Sequence, residues 1–65
     1  RDLVVVKNMR MGDIIRNLDF DRFHIIHVLD DDLKLMKVFT EQDIMDGVVK
    51  HSGDMTFEEF ILIDE

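Results

Sequence analysis

The sequence contains no cysteine, proline, tryptophan or tyrosine, and only three glycines in 65 residues. Without cysteine there is no disulfide framework and no thiolate metal site to stabilise so short a chain. At this length a single hydrophobic core is close to marginal, and small domains lacking such staples often gain stability by oligomerising. No apolar run approaches the ~20 residues of a membrane span, and no charged-then-apolar leader precedes the first element. Basic clusters are missing too: Lys7, Arg10, Arg16, Arg22, Lys34, Lys37 and Lys50 are scattered among 15 acidic residues, for a net charge of −7. A surface of that sign repels nucleic acid and anionic membranes. The expectation is a cytoplasmic protein that binds neither. The chain opens on Arg1, which reads as a single module over residues 1–65 cut from a longer protein.

What is present is the composition of a folded chain, 46% apolar, rather than that of a disordered tail. Leu3-Val4-Val5-Val6 is a β-branched run suited to a strand. Met11, Ile14, Ile15 and Leu18 fall at i, i+3, i+4 and i+7, which predicts an amphipathic helix over about 11–19. Phe23 to Leu29 and Leu35 to Thr40 are rich in strand formers, with only Asp30-Asp31-Asp32-Leu33 between the first of these runs and Lys34, so the pair reads as an antiparallel hairpin. Pairing Leu29 with Lys34 would set Ile26 opposite Lys37 and His27 opposite Met36. Both faces of the sheet would then be largely apolar, one covered and one contacted.

Thr40 opens the next helix, with Glu41 and Asp43 in a first turn where the helix dipole favours acids. Ile44, Met45, Val48 and Val49 form its stripe, and Gly53 is a natural stop. Thr56-x-x-Glu59 is a second capping box that starts a short helix or turn. Ile61-Leu62-Ile63 fits either its continuation or a strand. The order is strand, helix, strand, strand, helix: an α+β pattern.

Nothing in the chain has the spacing of a catalytic triad, a phosphate loop or a zinc site, so an enzyme is not expected. His24 and His27 are three apart on a strand and point to opposite faces; partly buried or interface histidines are the simpler reading. The acidic run at 30–32 reads as a solvated turn. Gly53 to Phe60 has the outline of the exit of a calcium-binding EF-hand, yet loop positions 1 and 3 would be Val48 and Lys50, which are not carboxylate ligands. No metal site is expected.

The stretch from Val28 through the acidic turn and return strand to Thr40-Glu41-Gln42-Asp43-Ile44 resembles one CBS motif, half of a Bateman-type pair. The resemblance implies a CBS-like β-α-β-β-α unit with a small sheet and helices on one face. It also implies a non-catalytic regulatory module with no required cofactor, which packs sheet-to-sheet as a homodimer or against another CBS motif and acts on an attached effector domain. The ligands it implies are adenosine compounds such as AMP, ATP or S-adenosylmethionine. Thr40 would then contact phosphate and Asp43 ribose hydroxyls, with the backbone and apolar side chains of Ile25, Ile26 and Val28 flanking the base. Lys37 stands where many members carry Gly, and His27 where many carry Pro. Lys37 either fills the space that the Gly leaves or supplies a cation for phosphate. Capping alone also explains Thr40 and Asp43, and a ligand-free assembly module of the same fold is the alternative function.

Overall fold

In the computed structural model, which describes residues 2–17 and 25–63, the chain runs β1 (Asp2–Val6), α1 (Met11–Asn17), β2 (Ile25–Leu29), β3 (Leu35–Thr40), α2 (Glu41–Lys50) and α3 (Phe57–Ile63). Leu18 of the predicted first helix, and Phe23 and His24 of the predicted strand, lie outside the described residues. The sheet order is β1-β2-β3, with β1 parallel to β2 and β2 antiparallel to β3. Residues 61–63 are helical, so the open alternative at the end of the chain resolves as part of α3.

The hairpin register differs from the expected one. Leu29 pairs with Leu35, Val28 with Lys37, His27 with Val38 and Ile26 with Phe39, so Ile26 is not opposite Lys37, nor His27 opposite Met36. Two local causes add. The turn closes with Asp30 N–H donating to the Lys34 carbonyl (2.8 Å) and places Leu33 at φ 63°, the left-handed region. The Asp30 carboxylate holds that turn by accepting from the N–H groups of Asp32 (2.8 Å) and Lys34 (3.0 Å), the local bonding that suits Asp to turns. One residue, Met36, is then extra where the register shifts between Val28 and Leu29, a β-bulge. Each step slips the pairing by one residue. Their sum is even, so Lys37 to Thr40 keep the faces that the alternation predicted, while Leu35, before the bulge, is slipped by one residue only and turns to the open face.

Leu3, Ile26 and Phe39 form one row across the core face, and Val5, Val28 and Lys37 form the next. Helices cover this face alone among the described residues: Met11 and Ile14 from α1, Ile44 from α2, and Phe57, Phe60 and Ile61 from α3 join Val5, Ile26, Val28 and Phe39 in one buried cluster. The other face carries Asp2, Ile25 and Thr40, then Val4, His27 and Val38, then Val6, Leu29 and Leu35.

Two helix starts are tied to each other through the backbone. The first N–H groups of a helix have no partner within it. Those of Met11 and Gly12 donate to the carbonyls of Met55 (2.9 Å) and Gly53 (2.8 Å), while those of Phe57 and Glu58 donate to the carbonyls of Met9 (3.0 Å) and Lys7 (2.9 Å). The Thr56 capping box is formed as predicted: its hydroxyl accepts from Glu59 N–H (3.2 Å), and its own N–H donates to Glu59 Oε1 (3.1 Å). That N–H donor holds the Glu59 carboxyl below its ordinary value of 4.5. Lys7 Nζ reaches Glu58 at 2.7 Å and Asp31 at 3.8 Å, and the hydrogen bond to Glu58, followed by the Asp31 charge, raises its ammonium above 10.5.

This seam explains Gly12, and the packing of α2 on Phe60 explains Gly47. A Cβ on Gly12 would stand 2.7 Å from the Gly53 carbonyl oxygen, and one on Gly47 would stand 2.8 Å from the Phe60 ring. For Gly12→Ala the obstacle is backbone that is already hydrogen bonded. The steric cost of roughly 1–3 kcal/mol should exceed the gain of up to about 1 kcal/mol in helix propensity. We expect a lower melting temperature for Gly12→Ala in thermal denaturation; an unchanged or higher one would show that the seam yields.

Candidate functional site

The passage from β3 into α2 has no intervening loop. Thr40 is the last strand residue and the helix N-cap, with extended backbone at φ −84° and ψ 161°. Its Oγ1 accepts from Asp43 N–H (3.1 Å), and its own N–H donates to Asp43 Oδ2 (3.0 Å). The cap consumes part of each group. It uses Thr40 Oγ1 only as an acceptor, so its hydroxyl proton stays available to donate. It uses one carboxylate oxygen of Asp43, so the other still accepts. Capping and ligand contact are therefore chemically compatible at this pair. The next residue, half-buried Glu41, has a buried Oε1 with no hydrogen-bond partner, an acceptor that a donor from outside the chain would satisfy.

The other predicted residues divide between the two faces. Ile25 is the cross-strand neighbour of Thr40 and lies exposed on the open face. Ile26 and Val28 point into the core and have no accessible surface, backbone included. Lys37, paired with Val28, belongs to the core face and projects from edge strand β3 on the helix side. The structure thus brings Thr40 and Ile25 together at one end of the open face, holds Asp43 against Thr40 from the first turn of α2, and sets Lys37 apart from Ile25.

Lys37 instead lines a cleft of about 260 Å³ with Asp46, Lys50 and His51, above a floor formed by Phe39 and Phe60. The two phenyl rings lie 5.1 Å apart, and the His51 ring meets Phe60 edge-on at 6.1 Å. Asp43 closes the end of the cleft near Thr40. Sequence reasoning missed Asp46, Lys50 and His51. Part of the signal was available, because Asp43, Asp46, Gly47 and Lys50 fall at i, i+3, i+4 and i+7 and so share one helix face. The contribution of Phe60 depends on tertiary packing.

Among the described residues no three His, Cys, Asp or Glu side chains converge to hold a metal ion. His27, on the open face, pairs with Asp2 at 3.0 Å. No described helix is long and apolar enough to cross a membrane.

A three-stranded sheet with its helices on one face, in the order β-α-β-β-α-α, is a CBS-like α+β fold. The crystal structure of the CBS-domain containing protein ATU1752 from Agrobacterium tumefaciens superposes with a TM-score of 0.68 at 20% identity, over 89% of this chain and 46% of that one. The chain therefore spans less than half the length of that protein. No family model matches it, and no curated protein matches it.

The capping geometry predicts the effect of Thr40→Ala. Loss of an N-cap hydroxyl costs about 1 kcal/mol, which in a domain of this size lowers the melting temperature by roughly 4–8 °C. Thr40→Ser should retain most of the stability. Equal melting of the alanine variant and the parent protein would mean that the cap contributes nothing.

Proposed function

We propose that this chain is a non-catalytic regulatory half-module that pairs through its open sheet face with a second copy, or with another CBS motif of a longer protein. The observation that carries the reading is the composition and exposure of that face. Its central row is Val4, His27 and Val38, with Val4 59% and Val38 43% exposed, and Ile25, Val6 and Leu35 extend it on either side. A half-covered sheet ordinarily alternates apolar-in with polar-out; here both faces are apolar. An uncovered apolar patch on a chain this small marks a surface that another molecule covers, and symmetric pairing of one patch with itself is the commonest way to do so.

The ligand we assign to the paired module is an adenine nucleotide or S-adenosylmethionine at the Thr40 end of the face. The resemblance names that class. The spare hydroxyl proton of Thr40, the free oxygen of Asp43 and the exposed Ile25 side chain support it locally. Pairing would enclose this end between two motifs, and a ligand that fits one arrangement of the pair better than another shifts the populations of the two. That shift would act on an attached effector domain.

One experiment addresses both parts: mass in solution, followed by melting with and without millimolar AMP, ATP or S-adenosylmethionine. The parent protein should be dimeric and Val38→Glu monomeric, because the substitution buries a charge at the centre of the pair. A ligand that binds the native state raises the melting temperature, and Asp43→Ala should abolish that rise. A stable monomer at every concentration contradicts pairing. A dimer that no adenosine compound stabilises leaves the assembly function and removes the ligand.

A further inference from the structure

We infer that the helix-side cleft is a second binding site, meeting the Thr40 end of the sheet face at Asp43, for a small phosphate monoester that also carries hydroxyl groups. Its lining comes mainly from α2, α3 and the core face of β3, with Val38 of the open face at its margin.

The first ground is the state of its cations. In a chain of charge −7, acids outnumber bases, yet only three of the six basic side chains among the described residues find one. Lys7, Arg10 and Arg16 all sit in ion pairs. Lys34, Lys37 and Lys50 make none, and Lys37 and Lys50 line this one cleft. Two carboxylates line it as well, yet neither closes on a lysine. Asp46 Oδ1 accepts from Gln42 Nε2 at 2.8 Å, and Asp43 Oδ2 accepts from Thr40 N–H at 3.0 Å. Local hydrogen bonds therefore hold the acids back along α2 and leave both ammonium groups unpaired.

The second ground is the order of charges along the cleft. Since α2 begins directly after Thr40, Lys37 lies three strand residues from that junction, about 10 Å. Asp43 and Lys50 are seven helical residues apart, also about 10 Å. Carboxylates thus occupy the end near Thr40, and Lys37, Lys50 and His51 the remainder. A phosphate group matches the cationic end, where ammonium groups bind it as point charges. Hydroxyl groups match the free oxygen of Asp46, which needs donors. The carbon chain between them would lie on the Phe39 and Phe60 floor.

Size sets the third condition. The volume of about 260 Å³ falls below the ~300–1,000 Å³ typical of pockets for drug-sized ligands. It suits a three- to five-carbon phosphate rather than a whole nucleotide. The overall negative charge opposes any anion, but remote exposed charges are screened beyond about 8 Å at physiological ionic strength, while both lysines act at contact.

The test is an amide-resolved NMR titration of the protein with glycerol 3-phosphate, with glycerol and with sodium sulfate at matched ionic strength as references. Saturable shifts centred on residues 46–51 are expected with glycerol 3-phosphate alone. Lys37→Ala and Lys50→Ala should each weaken binding by about tenfold or more, the loss of one charge-assisted contact. Lys34→Ala removes the same charge outside the cleft and should leave the affinity within about twofold. Four results would overturn the proposal: no saturable shift, equal shifts with sulfate, equal weakening in Lys34→Ala, or shifts centred on Ile25 and Thr40. All three lysines are solvent-exposed, so the variants fold and the comparison stays readable.

Discussion

The structure depends on a backbone seam between residues 7–12 and 53–58. Four N–H groups at the starts of α1 and α3 would be unpaired within their helices; each instead donates to a carbonyl of the opposite strand of the seam. Neither helix is long enough to be stable alone, with seven residues each, because isolated helices below about 12 residues are marginal in water. The seam makes them a unit and docks α3 beneath the sheet. Its close approach leaves no room for a side chain at Gly12 and little at Gly53.

Everything else follows from which face the seam closes. With α3 docked, Phe57, Phe60 and Ile61 complete the core under β2 and β3, and Phe60 supplies the floor of the cleft beside α2. No helix among the described residues reaches the opposite face, so its valines stay exposed. β3 is an edge strand, and its core-facing Lys37 discourages edge-to-edge pairing, a common use of inward-pointing charge. The same lysine also brings positive charge to the cleft, so its two roles coexist.

Much of the fold could be read from the residues. The strands, the amphipathic start of α1 and both capping boxes have local causes, and local causes leave marks in sequence. The hairpin register did not, because the turn places a leucine, Leu33, in the left-handed region where Gly or Asn is usual. The bulge at Met36 has no sequence marker either. At the site, the Thr40–Asp43 capping pair was legible, as was the placement of Lys37 on the face away from Ile25, but not the cleft that Lys37 lines. The cleft joins α2 to Phe60, 13 residues beyond Gly47, and the seam that brings them together is made of main-chain bonds, which leave no side-chain pattern in the sequence beyond the glycines at 12 and 53.

The central claim is that the open sheet face, and not exposed apolar surface in general, is where this module meets its partner. Methyl-resolved NMR over a dilution series tests it directly. Val49 and Leu62 are 89% and 65% exposed, more than Val38 at 43%, so exposure alone would make them the stickier residues. The account predicts that the methyl signals of Val4, Ile25 and Val38 shift together as concentration rises, while those of Val49 and Leu62 stay fixed. Shifts confined to Val49 and Leu62, or none at any concentration, would contradict it.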